Sequence, residues 1–145
     1  MRIIRSLMFV VCSFGVLWVP VAHAQITAEI RAKIPFSFYV QETKLPAGTY
    51  LLKMMDNTDL NVMQIESADY EFSVMFPVDA AQLSNAPANT ELMFHQYGND
   101  EYLSRIFEKG NPDGDRVVLT HHESEMQKTE TTSQEHSVPA ERHGG

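Results

Sequence analysis

Between residues 28 and 40 the even positions are Ala28, Ile30, Ala32, Ile34, Phe36, Phe38 and Val40. The odd positions are Glu29, Arg31, Lys33, Pro35, Ser37 and Tyr39. A period of two held over 13 residues places one face on a core and the other on solvent, as a half-buried strand requires and a helix forbids. Pro35 falls on the outward set. It lacks a ladder N–H, so it marks an edge, a bulge or a split into two strands. A folded region that opens this way needs a second apolar sheet face to cover the first.

The rest of the chain supplies such faces in short pieces. Residues 41–48 form a turn region ending in Pro46, Ala47 and Gly48. Residues 49–55 alternate again, with Tyr50, Leu52 and Met54 on one side. A polar turn at 56–59 leads to a third strand at 60–66, where the apolar phase slips between Val62 and Met63 and predicts a bulge. Residues 70–78 place Tyr70, Phe72, Val74, Phe76 and Val78 on one face. Residues 79–90 lack a strand pattern and predict a loop, with room for a helical turn near 80–83. Strands at 91–97 and 101–109 flank a tight turn at Gly98, Asn99 and Asp100. A further turn at 110–115 precedes a strand at 116–120. Residues 121–128 either extend that strand or begin a short helix. From 129 to 145 the chain is polar with one Val and predicts a disordered tail. The sum is a single antiparallel all-β domain of seven or eight short strands, either a sandwich or a small barrel. No repeat of fixed period is present.

The first 24 residues have a different character. Arg2 and Arg5 precede a mostly apolar run at 7–19, Pro20 breaks it, and Ala22 and Ala24 flank His23. Positive, apolar and small-residue segments in that order predict a secretory signal peptide cleaved after Ala24. The apolar run is short against the roughly 20 residues of a membrane span. The expected organisation is therefore 1–24 leader, 25–128 β domain and 129–145 tail, with the protein exported to the periplasm or beyond. Cys12 is the sole cysteine and lies in the leader. A mature chain of this kind forms no disulfide, so its stability must come from the core. All 19 acids and nine of the 11 Lys and Arg residues lie beyond Ala24, a net charge of −10 with histidine neutral. That surface repels nucleic acid and anionic lipid.

Three stretches carry a resemblance. Ile34-Pro35-Phe36-Ser37-Phe38, Leu45-Pro46-Ala47-Gly48-Thr49-Tyr50 and Phe94-His95-Gln96-Tyr97-Gly98 with Tyr102-Leu103-Ser104 resemble a family of small, exported, uncharacterised bacterial β proteins. The likeness spans roughly residues 34–126, and its most specific part is the stretch from Leu45 to Tyr50. It implies export and a β fold. It implies no activity, cofactor or functional residue. Ser37 stands where an acidic residue is more usual, and residues 41–44 lack the glycines common in that turn.

Chemistry-bearing patterns are sparse. His121 and His122 adjoin Glu123 and Glu125, but neighbouring side chains on a strand diverge. Two ligands also fall short of the three or four of a zinc site. His95, His136 and His143 have no metal spacing to them. The donors at 110–115 lack the frame and closing Glu of a calcium loop. No nucleophile–base motif, His-Glu-x-x-His or glycine-rich phosphate loop occurs. The expectation is thus no catalytic residue, no metal, no cofactor and no nucleic-acid partner. The aromatics Phe36, Phe38, Tyr50, Phe72, Phe76 and Phe94 fall mostly on inward sets, where they form a core or, in a wide barrel, line an apolar pocket. Polar residues at slips and turns are the places to look for ligand contacts: Gln64, Gln96, Tyr97 and Tyr102. The function these features suggest is an exported, non-enzymatic envelope or secreted binding module. A structural or interaction module of the envelope with a protein partner, and a hydrolase without a visible motif, are the alternatives.

Overall fold

The computed structural model describes residues 29–55, 60–129 and 133–143. The leader expected at 1–24 and the turn expected at 56–59 lie outside the described residues. Ten strands and one helix follow in chain order. They are β1 (Glu29–Ile34), β2 (Phe38–Val40), β3 (Thr43–Leu45), β4 (Gly48–Met54), β5 (Val62–Ser67), β6 (Ser73–Gln82), β7 (Thr90–Tyr97), β8 (Asp100–Phe107), β9 (Asp113–Val117), α1 (His121–Thr129) and β10 (Gln134–His143). Around the wall the order is β1, β4, β5, β6, β9, β8, β7, β10 and back to β1. Every neighbouring pair is antiparallel, so the domain is a closed eight-stranded barrel. Closure resolves the choice between sandwich and barrel and removes the exposed edges of an open sheet.

Pro35 performs the split that its missing N–H suggested. β1 ends at Ile34, and β2 leaves the wall to form a hairpin with β3. A single parallel bridge between Tyr39 and Tyr102 joins this hairpin to β8. Its turn has no glycine, and Gln41 takes the left-handed backbone itself (φ 56°). The Gln41 side chain donates to the Val118 carbonyl at 2.8 Å, which helps hold that unfavoured conformation. The stretch from Leu45 to Tyr50 has a structural explanation of its own. Leu45 and Tyr50 are buried in the core, and the Tyr50 hydroxyl donates to the Pro46 carbonyl at 2.7 Å.

Apart from a recess of about 140 Å³ beside Ile30, Leu52, Met63 and Ile106, side chains fill the barrel interior. Ile30, Ile34, Leu52, Ile65, Leu92 and Val138 reach it from five strands of the wall. Phe38, Tyr50 and Phe94 meet edge to face, with centroids 5.2 Å (Phe38–Tyr50) and 5.6 Å (Phe38–Phe94) apart. Such pairs add to the area term of burial. For these aromatics the structure gives the core reading over the pocket reading. Charged residues such as Arg31, Lys33 and Glu66 lie on outward sets, the reverse of the pattern in a membrane-spanning barrel. No helix among the described residues is long and apolar enough to cross a membrane.

Five expectations are corrected. First, the polar segment at 129–145 contains β10, which pairs with β7 on one side and β1 on the other and closes the barrel. Its one buried apolar side chain is Val138, so backbone ladders on both sides must order it, and composition could not reveal that. Second, the irregularity in register lies between Met93 and Phe94, whereas β5 pairs regularly through Val62 and Met63. Third, Phe72 is 37% exposed. Tyr70 adopts φ 63° in the β5–β6 turn, and Ser67 Oγ accepts from the Phe72 N–H at 2.9 Å. The turn thereby holds Phe72 outside the alternation. Fourth, β6 continues four residues into the predicted loop, where it pairs with β9. Fifth, β9 begins at Asp113, inside the predicted 110–115 turn. Gly114 is needed there, because a Cβ would collide with the Ile106 carbonyl and the Phe107 ring across the β8–β9 seam.

Candidate functional site

The strand rule that sends Phe94 and Leu103 inward sends their neighbours His95 and Tyr102 outward. On this barrel the outward face of β7 and β8 is covered. Thr120 opens α1 by accepting the Glu123 N–H on Oγ1 at 3.2 Å, the N-cap contact that such a residue makes. The helix then lies against the wall. His122 Nδ1 is hydrogen-bonded to the Tyr102 hydroxyl at 2.9 Å, and Glu123 faces His95. Tyr39 stacks on Tyr102 at 4.9 Å, and Tyr97 meets Tyr102 edge-on at 5.6 Å.

Beneath α1 the polar groups are poorly satisfied. Glu123 is 4% exposed, yet no hydrogen bond among the described residues reaches its Oε1. His95 Nδ1 lies 3.6 Å from Glu123 Oε1, an ion-pair distance beyond hydrogen-bond reach. His95 Nδ1 and the Tyr97 hydroxyl are likewise buried without a hydrogen-bond partner. The other side of the imidazole faces β10, with His95 Nε2 3.3 Å from Glu135 Oε1. Glu135 in turn holds Arg105. The Glu123 carboxylate raises the His95 pKa most. Burial opposes this, Glu135 assists, and Arg105 opposes. Burial also lifts the Tyr97 hydroxyl and pushes Tyr102 up to about 12, so both phenols stay protonated near neutrality.

A cleft of about 310 Å³ opens beside this cluster, between α1 and the wall of β6, β9, β8 and β7. Glu123, His95 and Ser104 line it together with Arg105 and Arg116, and Ala80, Val117 and Leu119 give it an apolar side. Ser104, His95 and Glu123 are the residue types of a hydrolytic triad. Their hydrogen bonds do not assemble one. The Ser104 hydroxyl donates to the Met93 carbonyl at 2.9 Å, and both His95 nitrogens face carboxylates. An imidazole placed so favours holding both protons and is a poor base for a neighbouring hydroxyl.

Of the four ligand-contact candidates read from sequence, the structure brings Tyr97 and Tyr102 together in the cluster under α1. Gln64 and Gln96 lie elsewhere. Gln64 is outward on β5 and donates to Ser73 Oγ at 2.8 Å. Gln96 donates to the Gly98 carbonyl at 3.2 Å in the β7–β8 turn and pairs in register with Glu101. His95 and Glu123 were not singled out by spacing, because 28 residues separate them. The one usable signal was Thr120 followed three places on by Glu123, a helix-start pattern. A second acid–histidine pair, Glu101 and His136 at 2.7 Å, sits beside Phe36 and Phe94 at one end of the barrel. There each partner satisfies the other. No group of three or more His, Cys, Asp or Glu among the described residues is placed to hold a metal ion. Comparisons with protein-family models, with curated proteins and with solved structures find no match.

Proposed function

We propose that this chain is an exported, non-enzymatic binding protein and that its site is the cleft between α1 and the barrel wall. One observation carries the reading: a buried Glu123, whose Oε1 accepts no hydrogen bond among the described residues and has His95 only at ion-pair distance, lines an open cleft. Burying a carboxylate costs several kcal/mol unless donors repay it. His95 repays part of that cost only while it is protonated. A group that stability would not select points to chemistry at the site. The apolar wall with a few convergent polar groups is the usual composition of a small-molecule site. Export rests on the leader pattern at 1–24, and the resemblance of the Leu45–Tyr50 stretch to exported proteins is consistent with it.

The test is a fragment screen followed by amide shift mapping on the isotope-labelled chain. Ligands should shift His95, Ser104, Arg105 and Glu123 together. A second reading, an interaction module of the envelope, is favoured by Tyr70, Phe72 and Met75, large apolar side chains exposed on and before β6. Shifts confined to those residues on titrating a co-purifying protein would replace the first reading with the second. Intact-mass measurement of the exported protein addresses the leader, since a mass that retains residues 1–24 removes the signal-peptide reading.

A further inference from the structure

We infer that the cleft under α1 takes a neutral, hydroxylated, ring-sized molecule: a monosaccharide, either free or as the terminal unit of a glycan. The inference rests on the cleft being the binding site. It follows from what the lining rejects as much as from what it accepts. An amine drawn to Glu123 would also meet Arg105, Arg116 and a histidine flanked by carboxylates, three groups that are cationic or readily so against one acid. A carboxylate or phosphate would meet Glu123, a buried acid with no hydrogen-bond donor on its Oε1. Like charges placed together in a desolvated site cost several kcal/mol. The lining as a whole is close to balanced, because Arg105 is paired with Glu135 and Arg116 lies 3.8 Å from Asp79.

A hydroxyl satisfies both requirements. It donates to the Glu123 carboxylate without bringing charge, and it accepts from a guanidinium. Arg116 is well placed for the second role. Its side chain is 58% exposed, and its contact with Asp79 is too long for a hydrogen bond. Ser104 Oγ spends its proton on Met93 and keeps lone pairs for a further hydroxyl. Adjacent hydroxyls on one ring thus find an acceptor and donors, while the C–H face of the ring meets Ala80, Val117 and Leu119. At about 310 Å³ the cleft sits at the low end of ligand sites, which run roughly 300–1,000 Å³, and has room for one ring.

Saturation-transfer NMR on the full mature chain tests this with D-glucose, D-galactose, D-mannose and N-acetylglucosamine, beside hexylamine and hexanoate. At least one sugar should bind, and neither charged probe should. Glu123→Gln should lower the association constant about 10- to 100-fold, the worth of one hydrogen bond to a charged group. Arg116→Gln, on the rim where folding is not at stake, should lower it severalfold. Methyl glycosides separate the two sources: retained binding indicates the end of a glycan, and lost binding a free reducing sugar. If hexylamine or hexanoate shifts the cleft amides and no sugar does, the ligand class is wrong and the site stands. If a sugar binds with Glu123→Gln and Arg116→Gln both unaffected, the inference falls. If nothing in either set perturbs His95, Ser104 or Glu123, the cleft reading falls with it.

Discussion

Two regions of this barrel are equally dry and chemically opposite. Inside, Phe38, Leu52, Phe76 and Leu92 are fully buried with apolar neighbours. Outside, under α1, Tyr97, Tyr102, Ser104 and Glu123 are buried nearly as deeply with hydroxyl, imidazole and carboxylate groups. The interior obeys the alternation of its strands and can be explained by area removed from water. The outer pocket violates that economy, because desolvated polar groups are left short of partners. Burial alone therefore says little about purpose. What the buried atoms have to give up separates a region that holds the fold from one fitted for something else.

Removing residues 129–145 is the strongest way to break this contrast, since β10 serves both regions. It sends Val138 inward and holds His95 and Arg105 through Glu135. Truncation after Lys128 should abolish the cooperative thermal transition; a truncated chain that still melts cooperatively would show that the wall closes without its last stave. Next in size, Phe38→Ala and Phe94→Ala should each cost about 3–5 kcal/mol in denaturant titrations, as large-to-small changes in packed cores do. Glu123→Leu should behave oppositely. Measured above the His95 titration, where no ion pair is left to lose, replacing a buried carboxylate whose Oε1 lacks a hydrogen-bond donor by an apolar side chain should leave stability unchanged or raise it by about 1 kcal/mol. A loss above that size would place Glu123 among the groups that hold the fold.

The His95 contact gives a pH signature. Its folded pKa lies above the ordinary 6.5, chiefly through Glu123. Protonation then favours the folded state, so this contribution is complete below about 6.5 and is lost as pH rises through the raised value. Protection factors of the α1 amides, with the intrinsic pH dependence of exchange divided out, should be higher at pH 6 than at pH 8, and His95→Gln should flatten the difference. An unchanged slope in that variant would assign the effect to another group. Smallest of all, Phe72→Ala should cost under about 1 kcal/mol, because its side chain already meets water. A penalty near that of Phe38→Ala would restore it to the core.

The interior was legible in the sequence and the outer pocket was not, for a physical reason. Ile30, Ala32, Ile34, Phe38 and Val40 announce a face because their spacing repeats every second residue. His95 and Glu123 meet only after β8, β9 and α1 have been placed, and no periodicity records such a meeting. Tyr97 and Tyr102 flank a visible turn and lie in the cluster under α1, whereas Gln64 and Gln96, read from slips in the alternation, lie away from it. Phe72 continues an unbroken alternation, and only the left-handed backbone at Tyr70 removes it from the series. β10 escaped because a strand hydrogen-bonded on both edges needs little apolar surface of its own.

That last stave also sets when the molecule can exist. Glu29 sits opposite His143, so the beginning of the described fold waits for its end. A chain made from its N-terminus onward carries an open sheet with unsatisfied edges at β1 and β7 until almost every residue has been added. Contacts of such long separation form slowly, and exposed edges invite pairing with other chains. An incomplete copy is therefore a hazard to its neighbours.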